Sequence, residues 1–169
     1  KRDWSSHVCS SDLGLNLDWF FDEWLNRGGE PVYNVSYYKG DHSTLINVRQ
    51  AQQVNDLIGY FKMPIVFEVH YTDGSFDTKK EWVEGASTLI QIANSSNKEI
   101  EFVLFDPNSE ILKKVNYDRT SKELVAQYQH SKNMLDRYDA LVALKDQGMQ
   151  GLDYRTLAYP ANDYFPVRM

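Results

Sequence analysis

The sequence has a single cysteine, Cys9, so it can form no internal disulfide and no thiolate metal cluster. It also lacks an apolar run near the roughly 18 residues that a membrane-crossing helix needs. The stretch Met63 to Phe67 is interrupted at once by Glu68 and His70. No histidine is followed by the glutamate of an H-E-x-x-H zinc helix, and there is no G-x-S-x-G nucleophile elbow or phosphate-cradling glycine loop. Strong charge of one sign is missing too. With 24 acidic and 18 basic residues the formal net charge is -6, an ordinary mixed surface with nothing to recruit nucleic acid.

What is present is a chain of 169 residues, 42% hydrophobic and 14% aromatic, enough for one sandwich-sized core with small flanking pieces. Residues 1–13 (KRDWSSHVCSSDL) show neither a signal-peptide h-region nor a helical or strand period. The string resembles translated sequencing-adapter read-through at the ends of reading frames assembled from environmental DNA. The expectation is a non-native tail on a natural chain truncated at both ends, with readable sequence starting near Gly14.

Leu17, Phe20, Phe21, Trp24 and Leu25 recur at helical spacing, with Asn16 or Asp18 as the N-terminal oxygen and Gly28-Gly29-Pro31 as the stop. From Pro31 the period becomes two. Tyr33, Val35 and Tyr37 alternate with polar residues, as do Ile46 and Val48, and Lys39-Gly40-Asp41 is placed to turn the chain between them. Ile65, Phe67, Val69 and Tyr71 form one face of the clearest strand, opposite Val66, Glu68 and His70. Asp73-Gly74 then predicts a tight hairpin in whose return strand Phe76, Thr78, Lys80 and Trp82 form the inner or groove-facing set. Strands over Thr88 to Ala93, Ile100 to Phe105 and Ile111 to Tyr117 bring the count to about seven. The fold class read from this is mainly β: an immunoglobulin-like antiparallel β-sandwich flanked by α-helices.

After Tyr117 the period is helical again. Thr120 to Glu123 offers a capping box, and Leu124, Val125 and Tyr128 form the apolar side of a first helix. Met134, Leu135, Tyr138, Leu141, Val142 and Leu144 form that of a second, with Asp136 and Asp139 toward solvent. Gly148 and Gly151 interrupt the pattern, and Asp163 to Met169 begins another.

Few residues invite chemistry. His7, His42, His70 and His130 are scattered, and Glu68 with His70 on one strand face makes two metal ligands without a third, which reads as a solvated pair. The acidic pairs Asp22-Glu23 and Asp136/Asp139 fall on polar helix sides. Tyr33, Tyr37, Tyr38, Tyr71 and Trp82 could form an aromatic platform, but Tyr33, Tyr37 and Tyr71 share the phase of their strands' apolar faces and read as core. Tyr38 and Trp82 keep open a second function, a free-standing module that binds carbohydrate or protein.

The run Leu17-Asp18-Trp19-Phe20-Phe21-Asp22-Glu23-Trp24, followed by Gly29-Glu30-Pro31-Val32, resembles the junction behind the catalytic domain in the membrane-alanyl aminopeptidase (gluzincin) family. The resemblance continues through Tyr71-Thr72-Asp73-Gly74, Phe105-Asp106-Pro107, Ile111-Leu112-Lys113-Lys114, Tyr128-Gln129-His130 and Asp136-Arg137-Tyr138-Asp139-Ala140. It implies a last catalytic-domain helix at 14–30, a β-sandwich at 31–119 and the start of an armadillo- or HEAT-like helical domain at 120–169. In that family one zinc ion is held by two His and a Glu, a second Glu activates water, and a G-x-M-E-N segment binds the peptide amino terminus. None of these motifs occurs here. The implied role is therefore noncatalytic, with no catalytic, cofactor-binding or metal residue in this chain and the zinc ion in the parent enzyme. The implied partners are the catalytic and helical domains of the same chain, with Phe20, Phe21 and Trp24 packing between domains and peptide as substrate only in the parent. A soluble bacterial protein is expected, cytoplasmic, periplasmic or secreted.

Overall fold

The computed structural model describes residues 17–148. Residues 1–13 with His7 and Cys9, and the expected features at Gly151 and Asp163 to Met169, lie outside this range.

Seven strands form two sheets: β1 (Val32–Gly40), β2 (Ser43–Gln50), β3 (Met63–Tyr71), β4 (Phe76–Val83), β5 (Ser87–Ala93), β6 (Ile100–Phe105) and β7 (Lys114–Tyr117). One sheet has the order β5-β2-β1-β7 and the other β4-β3-β6. The two-sheet sandwich is as the sequence predicts, but β7 departs from the expected antiparallel pattern. β7 is shorter than expected and runs parallel to β1, pairing Val32 with Lys114 and Val35 with Tyr117. Lys113 is drawn into an ion pair with Asp106 and Lys114 N–H donates to the Pro31 carbonyl, so pairing starts only at Lys114.

The inward residues of both sheets meet in one core: Tyr33, Val35, Ile46, Val48, Ile65, Phe67, Val69, Tyr71, Ile90, Ile92, Val103 and Phe105. This is the period-two pattern converted into burial. The β1–β2 connection is tighter than the expected turn at Lys39-Gly40-Asp41. Gly40 already pairs with Ser43, and Asp41-His42 alone form the loop, with His42 at φ 50. Asp73-Gly74 turns as predicted: Gly74 has φ 81, and Asp73 accepts hydrogen bonds from both the N–H and the hydroxyl of Ser75.

In β4 the inner placement of the Phe76 to Trp82 set is not the one taken. Register sets Asp77, Lys79, Glu81 and Val83 opposite Val69, Phe67, Ile65 and Met63, so the charged set faces the core side, while Phe76, Thr78, Lys80 and Trp82 point outward. A hydrophobic-first reading puts Phe and Trp inside, but β4 is an edge strand. Inward-pointing charges at a sheet edge oppose pairing with another chain. They find local partners at the rim: Lys79 pairs with Glu81 at 3.0 Å, and Asp77 accepts the Tyr71 hydroxyl at 2.8 Å.

The N-terminal helix is also different in detail. α1 (Asp18–Phe21) passes directly into a π-turn over Asp22–Asn26, so the i, i+4 stripe is not maintained. Leu25 is left 67% exposed and Phe20 40% exposed, whereas Glu23 is buried. Leu17 occupies the N-cap, with Asp18 in the first turn, where its charge suits the helix dipole. Trp19, outside the predicted stripe, packs on the core with Trp24.

Beyond β7 two helices lie against the sandwich, α2 (Ser121–His130) and α3 (Met134–Asp146). The capping box forms as predicted: Thr120 accepts the Glu123 N–H, and Glu123 accepts the Thr120 N–H at 2.7 Å. Leu124, Tyr128, Ala140 and Leu144 make the interhelical core. On the outer face of the three-stranded sheet, Phe102 and Leu104 pack against Ala126 of α2. Among the described residues no helix is long and apolar enough to cross a membrane.

Candidate functional site

A cleft of about 280 Å³ lies where β6 and β7 leave the sandwich open and α2 and α3 cover the gap. Its floor is polar. The chain leaves β6 through Asp106 in the left-handed region (φ 55), which Asp tolerates better than most residues. The buried Asp106 carboxylate accepts the Ile111 N–H at 3.1 Å and the Lys113 ammonium, tying the 106–113 loop into a ring. Asn108, also left-handed at φ 66, donates its N–H to Asp136 of α3 at 2.8 Å. Arg119 reaches from the β7–α2 link to Asp139 at 2.6 Å and to Gln127 Oε1 at 2.8 Å, with its guanidinium over the Tyr117 ring. Tyr37 of β1 donates its hydroxyl to Glu123.

Asp136 is buried, contrary to its expected place on a solvent face, and Asp139, exposed as expected, pairs with Arg119. The reason is local. Asn133 Nδ2 and the Asn108 N–H supply Asp136 with donors that no helical-wheel reading contains. Burial nevertheless raises its carboxyl above the usual aspartate range, against those donors and helped by the nearby Glu68 charge. Glu123 goes the other way. Burial opposes its charge, but hydrogen bonds from the Thr120 and Tyr37 hydroxyls and the Thr120 N–H hold its carboxyl below the ordinary value.

The expected solvated pair Glu68/His70 is also relocated. His70 is buried between Phe102 and Phe76, with ring centroids 4.3 and 5.2 Å away and planes nearly parallel. Its Nε2 lies 2.9 Å from Glu68 Oε2, and Lys132 covers Phe76 from outside at 4.0 Å. The outer face of this sheet is thus packed around His70 and Phe102, while Phe76, Thr78, Lys80 and Trp82 of β4 stay exposed at its edge. Among the described residues no group of three or more His, Cys, Asp or Glu side chains converges as a metal site. His130 is engaged with Glu101 at 3.0 Å, and His42 approaches the Ser95 carbonyl at 3.0 Å.

A third cluster lies at the N-terminal end. Trp19 meets Trp82 edge-on at 5.2 Å, Phe20 contacts Phe21 and Trp24, and Trp24 packs on Phe61 of the β2–β3 loop. Of the residues expected to pack between domains, Trp24 therefore rests partly on the sandwich itself, Phe21 is half-buried, and Phe20 is exposed. Glu23, read as a solvated acid, is buried, accepts the Lys62 N–H at 2.6 Å and is raised in pKa chiefly by that burial.

The aromatic platform is not assembled. Tyr33 and Tyr71 are core, and Tyr37 packs on it. Tyr38 and Trp82 are exposed, but they stand on the outer faces of different sheets. Sequence reasoning passed over Gln50. It lies on the inward phase after Ile46 and Val48, and a polar residue on a core phase is the signal that identifies it. Its amide donates to the Phe61 and Gly85 carbonyls at 2.6 and 3.0 Å and accepts the Phe61 N–H at 2.8 Å, stapling the long β2–β3 loop. The Asp106–Lys113 and Arg119–Asp139 pairs carry no comparable sequence signal.

These geometries hold elements together. In the cleft Asp106 pairs with Lys113 and Arg119 with Asp139, and Asp136 accepts the Asn108 N–H. No protein-family profile and no curated protein matches the chain. Among solved structures, the fold is similar to the crystal structure of Legionella pneumophila aminopeptidase A in complex with aspartic acid. The TM-score is 0.68 and the identity 17%, and the match covers 88% of this chain but 17% of that one. At this identity the likeness establishes a shared fold, and the chain spans about a sixth of its neighbour's length.

Proposed function

We propose that this chain is a noncatalytic segment of a zinc-dependent aminopeptidase of the membrane-alanyl (gluzincin) type. In this reading its sandwich, residues 31–119, buttresses a catalytic domain, and residues 120–169 begin a helical domain. The observation that carries the reading is the coverage of the match. Most of this chain superposes on a small part of an aminopeptidase, as a segment of a larger enzyme would. The paired acids of the cleft and the sandwiched His70 support a structural role, because such groups fix elements and present no reacting atom.

In this reading peptide hydrolysis, the zinc ion and its ligands belong to the rest of the parent enzyme. Phe20 and Phe21, exposed and half-buried beside Trp24, face the catalytic domain. Zinc supplies a Lewis acid and an activated water in such enzymes. The contribution of this chain is to hold the catalytic domain at a fixed distance from the helical one.

Sequencing the flanking DNA tests the reading. An upstream H-E-x-x-H with a further Glu on a second helix is expected, and a start codon near Gly14 or an unrelated upstream domain would sink it. The purified chain is expected to retain no stoichiometric zinc by elemental analysis and to release no product from aminoacyl anilides. Hydrolysis by the pure chain contradicts the proposal directly. The alternative binding module loses its main support because Tyr38 and Trp82 face apart; calorimetric titration with oligosaccharides that detects binding abolished by Trp82→Ala would restore it.

A further inference from the structure

α3 is apolar on two opposite faces. Ala140 and Leu144 are fully buried against α2, with Asp136 on the same side. Leu135, Tyr138 and Val142, at i, i+3 and i+7, are 39%, 43% and 39% exposed. At about 100° per residue the two sets lie about 180° apart on the helix. The sequence pattern marks the second set as a burial face, yet the described sandwich and α2 leave it open. A helix that is apolar on both sides belongs in the middle of a layered structure, since each stripe gains free energy only by leaving water. The open stripe is contiguous, and Leu135 at its start borders the junction cleft.

We infer that the Leu135–Tyr138–Val142 stripe is a docking surface whose occupant is the segment of this chain that follows Gly148. Two features name this occupant. α3 ends in a left-handed turn rather than running on: Gly148 has φ 78 and its N–H returns to the Lys145 carbonyl at 2.9 Å, so the segment that follows is tethered to the end of the helix that carries the stripe. The residues from 149 to 169 are then numerous enough to run the length of α3, about 20 Å at 1.5 Å per residue. They also carry Leu152, Tyr154, Leu157, Tyr159, Phe165 and Val167, apolar side chains suited to such a stripe.

Limited trypsin digestion of the full 169-residue chain provides the test, with cleavage after Arg155 followed by mass spectrometry under native conditions. Docking shields Arg155, so Val142→Glu and Tyr138→Ser, both at exposed positions, are expected to accelerate that cut by about tenfold or more while the urea midpoint of the sandwich stays unchanged. If the unsubstituted chain is cut as fast as an unstructured peptide of the same sequence, or if neither variant changes the rate, the inference fails. It also fails if light scattering shows a dimer that Val142→Glu dissolves, because the occupant is then a second copy. The Tyr138→Ser variant keeps the result readable if a buried glutamate distorts α3.

Discussion

Asp136 and Gln50 are each a single polar side chain on which two elements depend, and they respond to substitution in opposite ways. The native state raises the Asp136 carboxyl mainly through burial, so it binds the proton more tightly than the unfolded chain does. The charged form is therefore a cost at neutral pH. That cost fades as the pH falls through the raised folded value, and it is gone below the ordinary aspartate pKa of about 3.9. Asp136→Asn keeps an oxygen for the Asn108 N–H and removes the charge. It is expected to be more stable than the parent at pH 7, with the advantage vanishing near pH 3.5, as measured by urea unfolding at both pH values. A loss of stability independent of pH would show that the hydrogen-bond geometry outweighs the charge. Gln50 has no such compensation. Gln50→Ala strips the buried Phe61 N–H and C=O of their side-chain partners and is expected to cost about 2–4 kcal/mol, since each unsatisfied group costs about 1–3 kcal/mol. The same urea titration checks it, and a change under about 0.5 kcal/mol, the size of an ordinary surface substitution, would mean that the loop does not depend on this staple.

Among the elements, β4 and α3 teach the same lesson from opposite sides. β4 points its lysine, aspartate and glutamate inward and its Phe76 and Trp82 outward. An edge strand needs protection from edge-to-edge pairing more than it needs another apolar contact. Replacing Lys79 and Glu81 together by valine is therefore expected to favour association over stability, with an apparent mass at twice the monomer or above by light scattering at micromolar concentration. A monomer of unchanged solubility would place the guard elsewhere. Outward-facing Phe76 is still useful, because it stacks on His70 beneath Lys132. In α3 the apolar and buried faces diverge for a related reason: two donors from outside the helix, Asn133 and the Asn108 backbone, make Asp136 a buried residue.

At the scale of the whole molecule, the described residues join a large sandwich core to two small hydrophobic clusters. The sandwich core and the interhelical core share no members, and the link between them is Phe102 and Leu104 against Ala126, reinforced by Tyr37 to Glu123 and Arg119 to Asp139. Phe102 also forms one side of the His70 stack. Phe102→Ala is expected to cost about 3–5 kcal/mol, in the range of large-to-small changes in a core. It should also raise amide exchange in α2 and α3 more than in β1 and β2, observable by hydrogen–deuterium exchange. Uniform exchange in all elements would mean that the helices and sandwich open only together.

Read alone, the sequence determined the period-two strands, the Asp73-Gly74 hairpin, the Thr120–Glu123 capping box and the core phase of Tyr33, Tyr37 and Tyr71. Each is local: alternation, a turn's φ requirement and a cap's donors act within a few residues, so they are written in adjacent letters. It also identified the aromatic N-terminal segment, though not the π-turn that exposes Leu25 and buries Glu23. Tertiary structure alone decided the parallel pairing of β7, the inward face of β4, the burial of Asp136 and His70 and the role of Gln50. The deciding partner lies far away in the chain, as Asn108 does for Asp136, Phe102 for His70 and Gly85 for Gln50. A side chain's burial is set by whichever distant surface meets it, and no periodicity within a segment encodes that meeting.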